Sequence, residues 1–365
     1  MNDRERFLAT MNYQPRDRCP WWEMWYWSET LERWHDEGLP QDVHLERFLG
    51  VDHRESAQVN VGLVPDFDRE TLEETEEYEI FRRTDGVIAK QFKGDLKGRM
   101  PQWLRFPMES RDDWDKVIKP RLNPDSPTRY PLRWSDLKRM WAGRDYPLSI
   151  SGGSVFGWIR NWMGLEGVSQ ALYDEPAWIH EMMNYLAEFI VAVVHRALHE
   201  VRIDYVTMWE DMAYKAGPLI SPRMFRDFML EPYKKITSAF HEHDVHLIFV
   251  DSDGDSGPLM PLWLEGGVTG YYPIERAAGM DAAQLRAQHG RQLRLIGGID
   301  KRAMAAGPRA IEAELAAVAD LVADGGYIPW CDHLVPPDVS FENYMYYVQR
   351  MKELTLDPAR FRPRL

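Results

Sequence analysis

The sequence predicts an α/β fold, a closed (β/α)8 barrel carrying an inserted β-hairpin and an irregular excursion in its first third. Three observations predict it. From residue 147 onward six short apolar runs alternate with helical patterns, and strands separated by helices pair in parallel. Trp21–Tyr26 and one further run within residues 48–64 bring the strand-like pieces to eight. Acids stand where successive strands end, and a barrel gathers such positions into one mouth. An open doubly wound sheet is the alternative, but no Gly-x-Gly-x-x-Gly follows a strand to form a dinucleotide crevice.

Taken in order, residues 3–10 read as a short helix, and Pro15–Pro20 as a turn into the first strand, Trp21–Tyr26. Thr30–Glu37 reads as a helix stopped by Gly38 and Pro40. Glu77–Phe92 alternates apolar and polar residues about Thr84-Asp85-Gly86, a hairpin signal. Residues 101–146, rich in Pro, Trp, Arg and Asp, form an excursion with its own packing and a helical piece near Ser110–Ile118. Pro147–Ser151 is the next strand, ending in Gly152-Gly153. Pro176 opens a long helix whose Met182, Leu186, Phe189, Ile190, Val193 and Ala197 follow i, i+3, i+4 spacing.

Asp204–Trp209 is then a strand, and Pro222–His243 a helix with Ser221 as N-cap. Leu247–Val250 is a buried strand. A helix near Pro258–Glu265 follows, then strand Thr269–Tyr272, helix Asp281–His289, strand Leu293–Ile296, helix Pro308–Asp324, strand Tyr327–Trp330 and a closing helix Ser340–Leu354. All 365 residues are expected to form one domain.

Composition narrows the functional classes. A net charge of −14 opposes nucleic-acid or anionic-membrane surfaces, both of which need basic patches. Two cysteines make no disulfide framework, and the charged start Met1-Asn-Asp-Arg-Glu-Arg has no apolar leader. The longest apolar stretch, Phe189–Val194, is too short to span a bilayer. A cytoplasmic protein is the expectation.

The stretch around which the chemistry is organised is Val245–Asp255, an apolar strand ending in Asp251, Asp253 and Asp255 at alternate positions. Crowded carboxylates repel unless protons, bases or a cation lie among them; the bland reading is a solvated Asp/Ser/Gly turn. Glu210-Asp211, Glu275, Asp300 and Cys331-Asp332-His333 follow neighbouring strands, and some of these acids are expected to be helix caps instead. Carboxylates with an imidazole suit a divalent ion, zinc included. The acidic stretch is not an EF-hand loop: position six is Ser256 and position twelve Leu262. His241, His243 and His246 precede the strand at its far end and read as surface histidines. Cys331 reads as inert packing. No Gly-x-Ser-x-Gly elbow, Walker loop, His-Glu-x-x-His or Cys-x-x-Cys is present.

Several pieces in order resemble the uroporphyrinogen decarboxylase superfamily, which includes cobalamin-dependent methyltransferases. They are Arg4–Phe7 with Arg16–Pro20, Ala216–Pro222 with Phe225 and Pro232-Tyr233, Gly297–Asp300, and Pro336-Pro337-Asp338 with Glu342-Asn343. The resemblance covers nearly the whole chain and implies a TIM barrel. Where the decarboxylases carry Arg-Gln-Ala-Gly-Arg for their polycarboxylate substrate, this chain has Glu23–Ser28, an acidic and aromatic wall that lacks the bidentate pairing arginines provide. Where the methyltransferases carry His-x-Cys-Gly, it has Asp251-Ser252-Asp253-Gly254, and His333 takes the place of their last cysteine.

The resemblance therefore implies metal-assisted methyl transfer to or from a small apolar or aromatic substrate. Asp251, Asp253 and His333 would hold a divalent metal, for which zinc is one candidate, with Glu210 as a further ligand or base. Glu210, Asp253 and His333 are the catalytic candidates. Trp22, Trp25, Trp27, Tyr272 and Glu275 are the candidate substrate contacts. A corrinoid would act as methyl donor or acceptor, presented by a corrinoid protein, and the chain could pair as a homodimer. Two alternatives stay open: a decarboxylase of a porphyrinogen-like or other carboxylated substrate, and a non-catalytic barrel binding a corrinoid or tetrapyrrole.

Overall fold

The computed structural model describes residues 1–93 and 100–364. In chain order the strands are β1 (Glu55–Ser56), β2 (Glu70–Glu74), β3 (Tyr78–Arg82), β4 (Ile88–Phe92), β5 (Gln102–Arg105), β6 (Leu148–Ser151), β7 (Tyr205–Trp209), β8 (Ala213–Tyr214), β9 (Gly217–Pro218), β10 (Ile248–Asp251), β11 (Gly270–Tyr272), β12 (Arg294–Ile296) and β13 (Tyr327–Ile328). Seven of them form one parallel sheet in the order β1-β6-β7-β10-β11-β12-β13. Each step follows the chain, as in a barrel wound one way.

The eighth stave is the aromatic run Trp21–Tyr26, and it is less regular than its sequence suggests. It makes a single bridge, Tyr26 to Val335, instead of a strand ladder. The Trp21 carbonyl accepts from Asp52 N at 3.0 Å, and the Trp25 carbonyl accepts from Val335 N at 3.0 Å. It thus joins the edge near β1 to the segment after β13 and closes the ring. Asp52 fixes this stave by accepting from Trp21 N at 2.8 Å and from the guanidinium of Arg18. Helix Asp3–Met11, capped by Asn2 and Glu5, stoppers the floor: its Phe7 stacks on Trp22 and meets Tyr205 at ring separations of 5.0 Å.

Register and the two-residue period of a strand decide which side chains face inward. Phe249 lies opposite Thr207 and Gly270, and Asp251 opposite Trp209 and Tyr272. Tyr205, Thr207, Phe249, Asp251 and Tyr272 consequently share the interior. The intervening Val206, Met208, Ile248 and Val250 are fully buried beneath the helices, each contributing roughly 1.5–3 kcal/mol. Gly270 is required here, since a Cβ would meet the Phe249 ring at 2.2 Å.

The excursion is a four-stranded antiparallel sheet, β2-β3-β4-β5, followed by short helical turns. Its β3–β4 hairpin turns at Thr84–Gly86 as the sequence predicts, while β2 and β5 extend it. Helix Phe156–Asp174 was not legible in the sequence because glycines at 157, 164 and 167 interrupt its pattern; the backbone bends at Gly164. Helix Pro176–Glu200 buries the expected stripe. Helix Pro222–His241 starts at Ser221, whose hydroxyl accepts from Met224 N, and passes through a π-turn at Phe225–Met229. Among the described residues no helix is long and apolar enough to cross a membrane.

Candidate active site

At the carboxyl ends of the staves lies a cavity of about 290 Å³ lined by Trp22, Met24, Trp25, Arg54, Tyr205, Thr207, Phe249, Asp251, Tyr272, Ile296 and Trp330. The wall is mostly aromatic, and two ionisable groups besides its tyrosines stand in it. One is Arg54, whose guanidinium lies 4.7 Å from the Trp22 ring and 5.0 Å from the Trp330 ring. Two indole faces and the Glu23 carbonyl, which accepts from Nη2 at 2.8 Å, hold it in place. Sequence reasoning missed Arg54 and Trp330. Arg54 stands in an irregular stretch beside a two-residue strand, with no periodicity to show which way it points.

The other ionisable group is Asp251. Burial pushes its pKa up to about 8, the charges of Asp253 and Asp211 add to this, and His333 and Tyr272 oppose it. Its carboxyl is therefore largely protonated at neutral pH. Asp253 and His333 lie beside it: His333 Nε2 stands 3.3 Å from Asp253 Oδ2. Burial alone would lower the pKa of His333, but the hydrogen bond and charge of Asp253 outweigh it and the net direction is upward. The loop carrying Asp253 is fixed by local bonds. Ser252 Oγ accepts from Met212 N at 3.1 Å, and Gly254 N donates to Glu275 Oε2 at 3.1 Å. Gly254 takes φ +77, and a Cβ there would meet the Ala213 carbonyl at 2.5 Å.

Glu210 is corrected. It is fully buried and turned away from the cavity, toward the start of helix Phe156–Asp174. Its oxygens accept from the amides of Val155 at 2.8 Å, Phe156 at 2.9 Å and Gly157 at 2.8 Å, from Ser154 Oγ at 3.1 Å and from the Tyr233 hydroxyl at 2.7 Å. A carboxylate at a helix N-terminus satisfies amides that have no partner inside the helix. With five donors on two oxygens it has no lone pair left for a metal or a substrate proton.

The other acids divide the same way. Asp300 caps helix Lys301–Ala306, Asp332 accepts from Arg276 N and Lys301 N, and Asp255 accepts from Gly257 N. Glu275 lies outside the cavity wall, engaged with Gly254 and 3.4 Å from Lys301 Nζ. Trp27 is also outside it: it precedes helix Ser28–Asp36, and its amide donates to Val335 O. Trp22, Trp25 and Tyr272 do line the cavity. Cys331 is fully buried, and burial holds its thiol pKa well above the ordinary value.

The metal expectation fares unevenly. Asp253 Oδ1 is buried without a hydrogen-bond partner, a lone pair a cation would satisfy. Yet among the described residues no three of Glu210, Asp251, Asp253 and His333 bring ligand atoms within 4.8 Å of one another. The donors do not form a closed ion cage as arranged.

Fold and mouth together define a (β/α)8 barrel with an aromatic, acid-bearing pocket. The sequence profile described as Uroporphyrinogen decarboxylase (URO-D) matches residues 101–354, and the chain belongs to that family. It is 22% identical over 379 residues to the uroporphyrinogen decarboxylase of Xanthomonas axonopodis pv. citri (strain 306), covering 96% of this chain and 98% of that protein. A uroporphyrinogen decarboxylase of Pseudomonas aeruginosa (strain LESB58) is 24% identical over 192 residues, half of each chain. Among solved structures, a methyltransferase from Methanosarcina mazei superposes with a TM-score of 0.59 at 16% identity, covering 97% of this chain and 99% of that one. That likeness concerns the fold.

Proposed function

We propose that this member of the family is a carboxy-lyase acting on a small, aromatic or largely apolar substrate with one or few carboxylates. Asp251 would be its proton donor and Arg54 its anion anchor. The observation that carries the reading is Asp251: a carboxyl in the cavity wall whose pKa of about 8 keeps it neutral at pH 7. A neutral buried acid can protonate carbon where an ionised one cannot. In the reaction the bond from substrate carbon to its carboxylate breaks, CO₂ leaves, and the electron pair remains on that carbon. The Asp251 proton then forms the new C–H bond. His333, whose pKa the hydrogen bond and charge of Asp253 move upward and whose charge acts on Asp251, is the group placed to return a proton. The cavity sits at the small end of ligand sites, and its wall offers one guanidinium. That argues against a substrate with many carboxylates and agrees with the acidic, aromatic stretch Glu23–Ser28.

The test is CO₂ release from a panel of aromatic and heteroaromatic carboxylates. On any substrate turned over, Asp251→Asn should lower kcat by at least about 100-fold with KM little changed. Arg54→Met should raise KM about 10- to 100-fold, the loss of one charge-assisted pair. Unimpaired turnover by Asp251→Asn refutes the assignment. A second reading, metal-assisted methyl transfer with a corrinoid and its carrier protein, is supported by the partnerless Asp253 Oδ1. It needs a third donor to swing in. Metal bound to wild type but not to Asp253→Ala would favour it.

A further inference from the structure

At the end of the barrel away from the cavity, three histidines that the strand-end acids had overshadowed come together. His195 and His199 lie one turn apart on helix Pro176–Glu200, with ring centroids 4.2 Å apart. His243 follows helix Leu230–His241, and its ring is 4.6 Å from that of His199. One ligand atom from each lies within 4.8 Å of the others, and among the described residues no other His/Cys/Asp/Glu group meets that condition. Sequence alone separates His243 from the pair by more than forty residues, so its meeting with them is set by the tertiary structure.

The bland explanation is chance stacking of exposed rings. Two details go beyond it. His243 Nδ1 lies 2.8 Å from the Ala239 carbonyl, which fixes the Nδ1–H tautomer and leaves Nε2 unprotonated with its lone pair toward His199, the usual tautomer of a metal-bound imidazole. That Nε2 is 3.3 Å from His199 Nδ1. Two nitrogens each about 2.05 Å from a tetrahedral zinc stand about 3.4 Å apart, so these two already sit at the edge of such a site. His199 Nδ1 also lies 2.9 Å from the His195 carbonyl; ligation through it requires the Nε2–H tautomer and gives up that exposed bond.

We propose that His195, His199 and His243 bind one divalent transition ion, Zn²⁺ or a like imidazole-preferring cation, with water in the fourth position. His195-Arg-Ala-Leu-His199 has the i, i+4 spacing of a zinc-binding helix, but Arg196 stands where a hydrolytic site carries its glutamate. The site therefore has no built-in base, and its effect is to tie helix Pro176–Glu200 to the turn that leads into β10. An ion held only by the folded chain raises its stability. At one hundred times Kd the rise in Tm is about 3–4 °C for a chain of this length.

Calorimetric titration of the full chain with Zn²⁺, and with Co²⁺ read by its visible absorption, tests the site. One ion per chain is expected, with Co²⁺ showing the intensity of four-coordination. Binding should weaken at least 10-fold in His195→Ala and His243→Ala and vanish in His199→Ala, with circular dichroism unchanged. His199→Gln serves as a second variant should the first fold poorly. The absence of saturable binding, or equal binding by the His199 variants, overturns the proposal. So does binding lost in Asp253→Ala but kept in His199→Ala, which would move the ion to the barrel mouth.

Discussion

Replacing Asp251 by Asn keeps the side chain's shape and removes its ionisation, and the consequence can be followed through pH. In the fold this carboxyl titrates at about 8, against an ordinary 3.8, with burial as the leading cause and Asp253 and Asp211 behind it. A folded pKa above the unfolded one means that the unfolded chain releases the proton first. The contribution to stability is whole below about pH 4 and declines as pH rises toward 8. Between pH 5 and pH 8 the decline is roughly 4 kcal/mol, three pH units at about 1.36 kcal/mol each, slightly reduced because the group is half ionised at the upper end. With an unfolding entropy of about 2.1 cal/mol/K per residue over 365 residues, that corresponds to a fall of about 5 °C in Tm. Asp251→Asn lacks this slope. Urea unfolding followed by tryptophan fluorescence at several pH values in both proteins is the assay, and the difference curve isolates Asp251. Glu23, for example, is buried and titrates at about 7, but it is common to both proteins and largely cancels. Parallel stability curves for the two proteins would refute the reasoning.

Glu210→Ala leaves three amides and two hydroxyls without their acceptor, and a loss of about 4 kcal/mol or more is expected in urea unfolding. Glu210→Gln, which keeps one acceptor oxygen, should lose about half as much; a neutral effect of both changes would show the latch to be unimportant. Asp253→Asn removes the charge that raises His333, so the His333 pKa should fall below its wild-type value in an NMR titration, and an unmoved pKa contradicts the pairing. Cys19 and Cys331 are both buried, and burial pushes the Cys19 pKa up to about 12. A thiol-reactive chromogen should therefore label neither cysteine in the native protein and both after denaturation; fast native labelling would refute the burial argument.

The barrel was legible because its strands are short apolar runs set between helices of clear period, from Leu148 to Leu354. The hairpin at Thr84–Gly86 and the Ser221 cap were legible for a related reason: turn and cap chemistry is local. Helix Phe156–Asp174 was not, because its glycines mimic loop. The acids at the strand ends were visible as a class, but their division was not. Glu210 and Asp251 look alike in sequence, each an acid at or just past the end of an apolar strand. One turns outward to a helix N-terminus and the other inward to the cavity.

What the amino-acid order determined alone was the alternation of strand and helix, and the presence of acids where strands stop, since both follow from periodicity and chain neighbours. Which acids face the interior, that Arg54 joins them between two tryptophans, and that His243 meets His195 and His199 were decided only in three dimensions. Each depends on the angle at which a side chain leaves the backbone and on partners tens to hundreds of residues away. Neither is encoded in any local window of sequence.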